Sequence, residues 1–215
     1  MFTSALIWSI ILAQEVIGMT DFQKMEQLAK ADGGVLKTSS VTAMGISKTA
    51  LAQFISKNEY ERVSLGVYLA PDAWRDDAYL LQLRCPQVVF SHDSALFYHD
   101  LTDREPLQLT VTAKTGYNPT HLTSTGVKVF TVKKELYSMG ISTTETSFGH
   151  LVNVYDMERT ICDILRSRNS METQVFQDAL KMYSKRRDKD LQNLMDYAKL
   201  FHVEKLMRQY MGVLL

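Results

Sequence analysis

Gly45-Ile46-Ser47-Lys48-Thr49-Ala50-Leu51-Ala52-Gln53-Phe54-Ile55-Ser56-Lys57 is the stretch on which the reading of this chain turns. Gly45 supplies a tight turn, Ser47 caps a helix, and the helix runs to about Lys57. Leu51, Phe54 and Ile55 fall at i, i+3 and i+4 and are predicted to pack inward together. Lys48, Thr49, Gln53, Ser56 and Lys57 point elsewhere, with Ala52 small between them. A short-chained polar face with a cation at each end suits the major groove of DNA, where amide side chains read base edges and bulky apolar ones clash. Hydroxyls and backbone amides at Ser47 and Thr49 suit a phosphate. The bland alternative is the solvated side of a helix in any three-helix domain, so the flanking sequence has to decide.

Upstream, Asp21 is predicted to cap a first helix through about Ala31, with Phe22, Met25, Leu28 and Ala29 on one face. Asp32-Gly33-Gly34 breaks that helix, Val35-Leu36 forms a short extended bridge, and Thr38 or Ser39 caps a second helix around Ser40 to Met44. Downstream, Glu59 to Leu69 reads as two strands joined near Leu65-Gly66, with Tyr60, Val63, Val67 and Leu69 the apolar members. Pro71-Asp72 closes the unit. This order of elements predicts a winged helix-turn-helix over residues 21–72. Its candidate DNA contacts are Lys37, Thr38 and Ser39 at the second helix, Ser47, Lys48, Thr49, Gln53 and Lys57 on the third, and Arg62 and Ser64 on the wing. Lys37, Lys48, Lys57 and Arg62 face only Glu59 and Glu61 in this stretch. So small an excess predicts modest non-specific affinity and binding in pairs to an inverted-repeat operator.

From residue 73 the pattern changes. Asp76 to Leu83 and Ser91 to His99 read as helices, the second capped by Ser91. Gln87 to Phe90, Leu107 to Thr112, Val127 to Val132 and Ser142 to Val154 read as strands. Helices are predicted at about 156–167, 172–184, 188–200 and 203–213. The expected fold class is therefore α+β: the winged helix-turn-helix, then an α+β domain over 73–215 with a mostly antiparallel sheet and a helical C-terminal part.

The chain of 215 residues is 46% hydrophobic and 22% charged with zero formal net charge, which fits a folded protein and excludes a globally basic nucleic-acid coat. Cys85 and Cys162 stand far apart in no metal-like spacing, as buried thiols in a reducing cytoplasm would. Residues 1–20 form an apolar extension of doubtful origin. Phe2 to Leu12 are nearly all apolar, but no Lys or Arg precedes them and Glu15 ends the run well short of the roughly 20 residues a spanning helix needs. Met19 is an alternative start.

Gly45 to Leu51, the run Tyr60-Glu61-Arg62-Val63-Ser64-Leu65-Gly66-Val67-Tyr68, and Phe90-Ser91-His92-Asp93-Ser94-Ala95-Leu96 followed by His99-Asp100-Leu101 resemble the AbiEi family. These are antitoxins of type IV toxin–antitoxin systems that act in abortive infection, a phage defence. The resemblance runs from about Asp21 to the end and rests on the order and spacing of motifs that are each weak. It implies an N-terminal winged helix that represses its own operon. It also implies a C-terminal domain that counteracts a nucleotidyltransferase-like toxin without a stable complex. His99-Asp100-Leu101 stands where the family often has His-Gly-Leu.

An enzyme is not expected. Neighbouring residues on a helix do not face each other, so Ser91, His92 and Asp93 do not imply a triad. His92 and His99 lack a third ligand, and a capping and core role suits them better. No phosphate loop or HExxH pattern occurs, so no cofactor and no metal is expected. Asp76-Asp77, Asp188 and Asp190 read as helix starts. Arg166, Arg168, Lys185, Arg186 and Arg187 close helices, and form a possible secondary basic surface for nucleic acid. The expected protein is a cytoplasmic repressor whose partners are operator DNA and the toxin it antagonises, with no membrane. Two other classes stay open: a winged-helix regulator whose second domain senses a small molecule in an apolar pocket, and a nucleic-acid-modifying enzyme with carboxylates in a cleft.

Overall fold

A computed structural model describes residues 18–214. The apolar run Phe2 to Leu12 and Glu15, which ends it, lie outside the described residues. The chain divides into two compact units at Arg84/Cys85.

In the first unit, helix α1 (Asp21–Ala31) begins with Thr20 and not Asp21 as its cap. Thr20 accepts from the Gln23 N–H while the Gln23 side chain accepts from the Thr20 N–H, a reciprocal box that Asp21 has no partner to form. Strand β1 (Val35–Lys37) leads directly into α2 (Thr38–Ala43). Lys37 occupies the cap position there, and neither Thr38 nor Ser39 provides a side-chain cap. Gly45, at φ 78°, turns the chain into α3 (Lys48–Lys57). The hairpin β2 (Glu61–Ser64) and β3 (Val67–Leu69) follows. The extended bridge proves to be a strand of the same sheet: β1 pairs antiparallel with β3, giving the order β1-β3-β2. Met25, Ala29, Leu36, Val41, Ile46, Leu51 and Phe54 form the core of this unit. Phe22 and Tyr60 pack on Phe54 with ring centres at 5.3 and 5.5 Å.

The unit extends past Asp72 to take in α4 (Asp77–Arg84). Tyr79 donates its hydroxyl to Asp32 at 2.8 Å and accepts from Lys37 at 3.0 Å. Arg75 reaches Glu61 of β2 at 3.3 Å. These long-range bonds tie α4 to the first unit, so the division falls at Arg84/Cys85, just before Pro86, and not at Pro71-Asp72.

The second unit is mixed α+β. Its elements are β4 (Val89–Phe90), α5 (His92–Tyr98), β5 (Thr110–Lys114), α6 (Thr120–Thr123), β6 (Lys128–Val132), α7 (Lys134–Tyr137), β7 (Ile141–Glu145), β8 (Leu151–Tyr155), α8 (Met157–Arg166), α9 (Thr173–Lys185), α10 (Leu191–Leu200) and α11 (Glu204–Leu214). The five strands lie in the order β6-β5-β4-β8-β7. β4–β5 and β7–β8 are antiparallel, whereas β5–β6 and β4–β8 are parallel. The sheet is thus evenly mixed and not mostly antiparallel. The crossover through α6 returns the chain to run beside β5 in the same direction, as parallel pairing requires. Leu107, expected to open β5, is fully exposed outside it.

Helix α8 is buried from Glu158 to Leu165. Its polar residues are largely answered: Arg159 Nε donates to Asp163 at 2.9 Å, and Glu158 accepts from the Tyr183 hydroxyl at 3.0 Å, while Arg159 Nη2 is buried without a hydrogen-bond partner among the described residues. The Arg159 guanidinium lies between the rings of Tyr155 and Phe201, its carbon 4.1 Å from each ring centre. Cys85 and Cys162 are both buried and neither is in a disulfide.

Candidate nucleic-acid interface

The inward face of α3 is Leu51 and Phe54, with Ile55 half-buried. Opposite it, Lys48, Thr49, Ala52, Gln53, Ser56 and Lys57 are all exposed. The face is therefore short-chained and polar, with Lys48 at its start and Lys57 at its end on the side toward α1. Ser47 accepts from the Ala50 N–H at 3.1 Å, so it spends its acceptor on capping the helix and holds the first turn in place. Lys57 stands with its ammonium 5.6 Å above the ring of Phe22. Lys48 enters no ion pair among the described residues.

The candidates of the second helix divide. Lys37 is committed elsewhere, because its ammonium lies 2.8 Å from Asp32 and 3.0 Å from the Tyr79 hydroxyl. Burial lowers its pKa, but the bonds and charges of Asp32 and Tyr79 outweigh that and hold it above the ordinary lysine value. Lys37 fastens α1, β1 and α4 together, so its ammonium is engaged within the unit. Ser39 is exposed and Thr38 half-buried. The Thr38 N–H donates to the Gly66 carbonyl at 2.8 Å, which joins the hairpin turn to the start of α2. On the hairpin Arg62 is exposed, with its Nε 3.4 Å from the Ser64 carbonyl, and Ser64 is half-buried. The carboxylate of Glu61 is answered by Arg75. Arg75 went unnoticed in the sequence, and Leu65 was read only as part of the turn between the strands. An apolar residue inside a turn was a signal for Leu65; Arg75 carried none.

The secondary basic surface of the second unit is only partly available. Arg186 forms a two-pronged pair with Asp188, both contacts at 2.8 Å. Arg166 pairs with Asp163 at 3.2 Å, and Arg168 donates to the Leu165 carbonyl at 3.2 Å. Lys185 and Arg187 remain exposed. Asp190 caps α10 as read, while Asp188 answers Arg186 instead of starting a helix.

Ser91 and His92 do meet, against expectation. The backbone of His92 is left-handed (φ 48°), which swings its ring back until Nδ1 lies 3.0 Å from the Ser91 hydroxyl. Ser91 accepts from Thr112 at 2.8 Å, and His92 Nε2 lies 3.1 Å from the Ser167 hydroxyl. Ser91 consequently makes no side-chain cap to α5. The imidazole stacks on Phe130 with ring centres 3.5 Å apart. Burial, reinforced by Lys128, Arg166 and Arg159, holds its pKa down to about 3, so the ring is neutral. His99 bonds the Tyr155 carbonyl at 2.6 Å and belongs to no shared site with His92. Asp93 enters no part of this chain of bonds. The arrangement clamps α5 to the sheet and to the end of α8. A cleft of about 550 Å³ in this unit is lined by charged Asp93, Arg104, Lys128 and Glu172 beside Met171 and Val175. Among the described residues there is no group of three or more His, Cys, Asp or Glu placed to hold a metal, and no helix long and apolar enough to cross a membrane.

No protein-family profile matches the chain, and no curated protein matches it in sequence. The crystal structure of the RV2827C protein from Mycobacterium tuberculosis is similar to it, at a TM-score of 0.57 and 12% identity, over 90% of this chain and 82% of that one. The likeness is one of fold.

Proposed function

We propose that the chain is a DNA-binding transcriptional repressor. In this reading the first unit is a winged helix-turn-helix, α3 enters the major groove, and β2–β3 is the wing. The observation that carries the reading is the outer face of α3. Thr49, Gln53 and Ser56 stand exposed between Lys48 and Lys57, on a helix whose other side is locked by Leu51 and Phe54. A rigid polar face with amide reach is what base readout needs, and cations at its ends match flanking phosphates. The hairpin bonded to α2 through Thr38 and Gly66 supplies a second, fixed contact.

With Lys37 tied up internally, the charged contacts reduce to Lys48, Lys57 and Arg62. Few cations per copy favour paired binding to two half-sites of an operator. The resemblance to AbiEi antitoxins extends the reading to autorepression and to antagonism of a nucleotidyltransferase-like toxin by the second unit, without catalysis by this chain. It also makes the cell interior the place of action.

The experiment is binding to the DNA upstream of the chain's own gene, comparing the unaltered protein with Lys48→Ala/Gln53→Ala. The expected result is salt-sensitive binding that the double variant loses, since each base reader is worth about 1–3 kcal/mol. Binding no tighter than to random duplex would overturn the reading.

A further inference from the structure

We infer that Leu65, at the tip of the β2–β3 hairpin, is an apolar contact to the deoxyribose walls of the minor groove of bound DNA. The inference rests on the repressor reading of the first unit and adds to it the chemistry of the wing.

Leu65 is 88% exposed. A single exposed leucine is ordinary on a protein surface; its setting is not. The tip is pinned, because Gly66 accepts the Thr38 N–H at 2.8 Å. A register slip between Arg62 and Ser64 further shapes the strand leading to it. The backbone that carries Leu65 is thus ordered before any ligand arrives, which lowers the entropic cost of using it. Around it stand groups that suit phosphates: Arg62 on the strand before the tip, and Thr38 and Ser39 at the start of α2. Glu61 lies opposite Leu69, at the end of the hairpin away from the tip, and is answered by Arg75, which leaves Arg62 as the charged residue of β2 nearer the tip.

An apolar side chain flanked by cation and hydroxyl matches a groove whose walls are sugar C–H and whose rims are phosphate. Leucine is among the apolar side chains that minor-groove proteins use, there as wedges between base steps; a single leucine on a wing reaches the sugar walls without unstacking. A protein partner is the poorer occupant, because the apolar surface does not continue. Met44 lies past the far end of α2, and Trp74 follows the end of β3 remote from the tip.

The test uses the full chain and a duplex from upstream of its gene, with Leu65→Ala and Leu65→Met. Affinity is measured across a salt series, and hydroxyl-radical footprinting reads the minor-groove sugars. Leu65→Ala is expected to weaken binding about tenfold, in line with losing most of a leucine's burial. It should leave the dependence on salt unchanged and expose sugars that the unaltered protein protects. Leu65→Met should restore most of the affinity. Unaltered affinity and footprint in Leu65→Ala overturn the inference and leave the repressor reading intact, as does a weakening that comes with a changed salt slope. If the unaltered protein itself does not prefer this duplex to a random one, the repressor reading falls and the inference falls with it.

Discussion

The N–H of Thr38 and the carbonyl of Gly66 lie 2.8 Å apart, so the first residue of α2 and the turn of the β2–β3 hairpin are one mechanical piece. Gly66 sits at φ 71°, and a Cβ placed on it would come within 3.3 Å of the Thr38 hydroxyl. Gly45 has a similar φ of 78° but open space around it. Gly66→Ala is therefore expected to cost more than Gly45→Ala. The second should lose about 1 kcal/mol for the left-handed backbone alone, and the first that amount plus the displacement of Thr38. Urea unfolding of the two variants checks the ordering, and equal losses would show that the tip is not seated on α2.

Lys37 offers a contrast between stability and binding. Lys37→Met leaves the Asp32 carboxylate, only 23% exposed, without its cation at 2.8 Å. The expected loss is about 1–3 kcal/mol in thermal or urea unfolding, less than for a fully buried pair because both partners keep some water. At the same time the slope of log affinity for DNA against log salt is expected to stay where it was. Lys48→Gln should do the reverse, sparing stability and reducing that slope by about 1. A changed slope in Lys37→Met would return that lysine to the interface.

Arg159 is completely buried and holds Asp163, together with the carbonyls of Leu136 at 2.8 Å and Met139 at 2.9 Å. Arg159→Met strands these acceptors and is expected to cost about 3–5 kcal/mol in calorimetry or denaturant unfolding of the second unit. Arg159→Met/Asp163→Leu should recover a good part of the loss, since removing both charges leaves less unpaired than removing one. A single variant as stable as the original would mean the charge pair contributes nothing.

His92 titrates near 6.5 when unfolded and is held to about 3 in the fold. Between those values the unfolded chain binds the extra proton and the folded chain does not, so stability falls as pH drops through that window. The slope contributed is up to about 1.4 kcal/mol per pH unit. In His92→Phe this slope should disappear, even though the variant also loses its bonds to Ser91 and Ser167. Parallel stability curves for the two proteins between pH 6.5 and 4 would dismiss His92 as the source.

Much of the architecture was legible because local chemistry dictates it. The capping hydroxyl of Ser47 and the inward spacing of Leu51 and Phe54 were sufficient to place α3, and the helices from Met157 onward begin and end within a few residues of the predicted bounds. What escaped depends on partners distant in sequence. Nothing near Lys37 announces that Asp32 and Tyr79 will claim it, and nothing in Phe90 announces a parallel neighbour at Val154. The meeting of Ser91 with His92 was missed for a different reason. Regular helical geometry forbids it, and the left-handed backbone at His92 that accompanies it is uncommon outside glycine, although histidine adopts it more readily than most residues. In the candidate interface, the outward face of α3 followed from periodicity, whereas the subtraction of Lys37, Arg166 and Arg186 needed three-dimensional pairing.

The central position of β4 has a consequence for how the protein comes into being. This two-residue strand emerges first among the strands of its sheet, yet its parallel neighbour β8 is made near the end of the sheet-forming sequence. On the ribosome the middle of that sheet must therefore wait, because Phe90 has nothing on one side until Val154 has been synthesised. The first unit, whose strands and helices meet close neighbours in the chain, closes earlier. A nascent chain halted before β8 would thus carry a finished N-terminal unit and an open sheet edge, so the order of synthesis favours completing the proposed DNA-reading part before the rest.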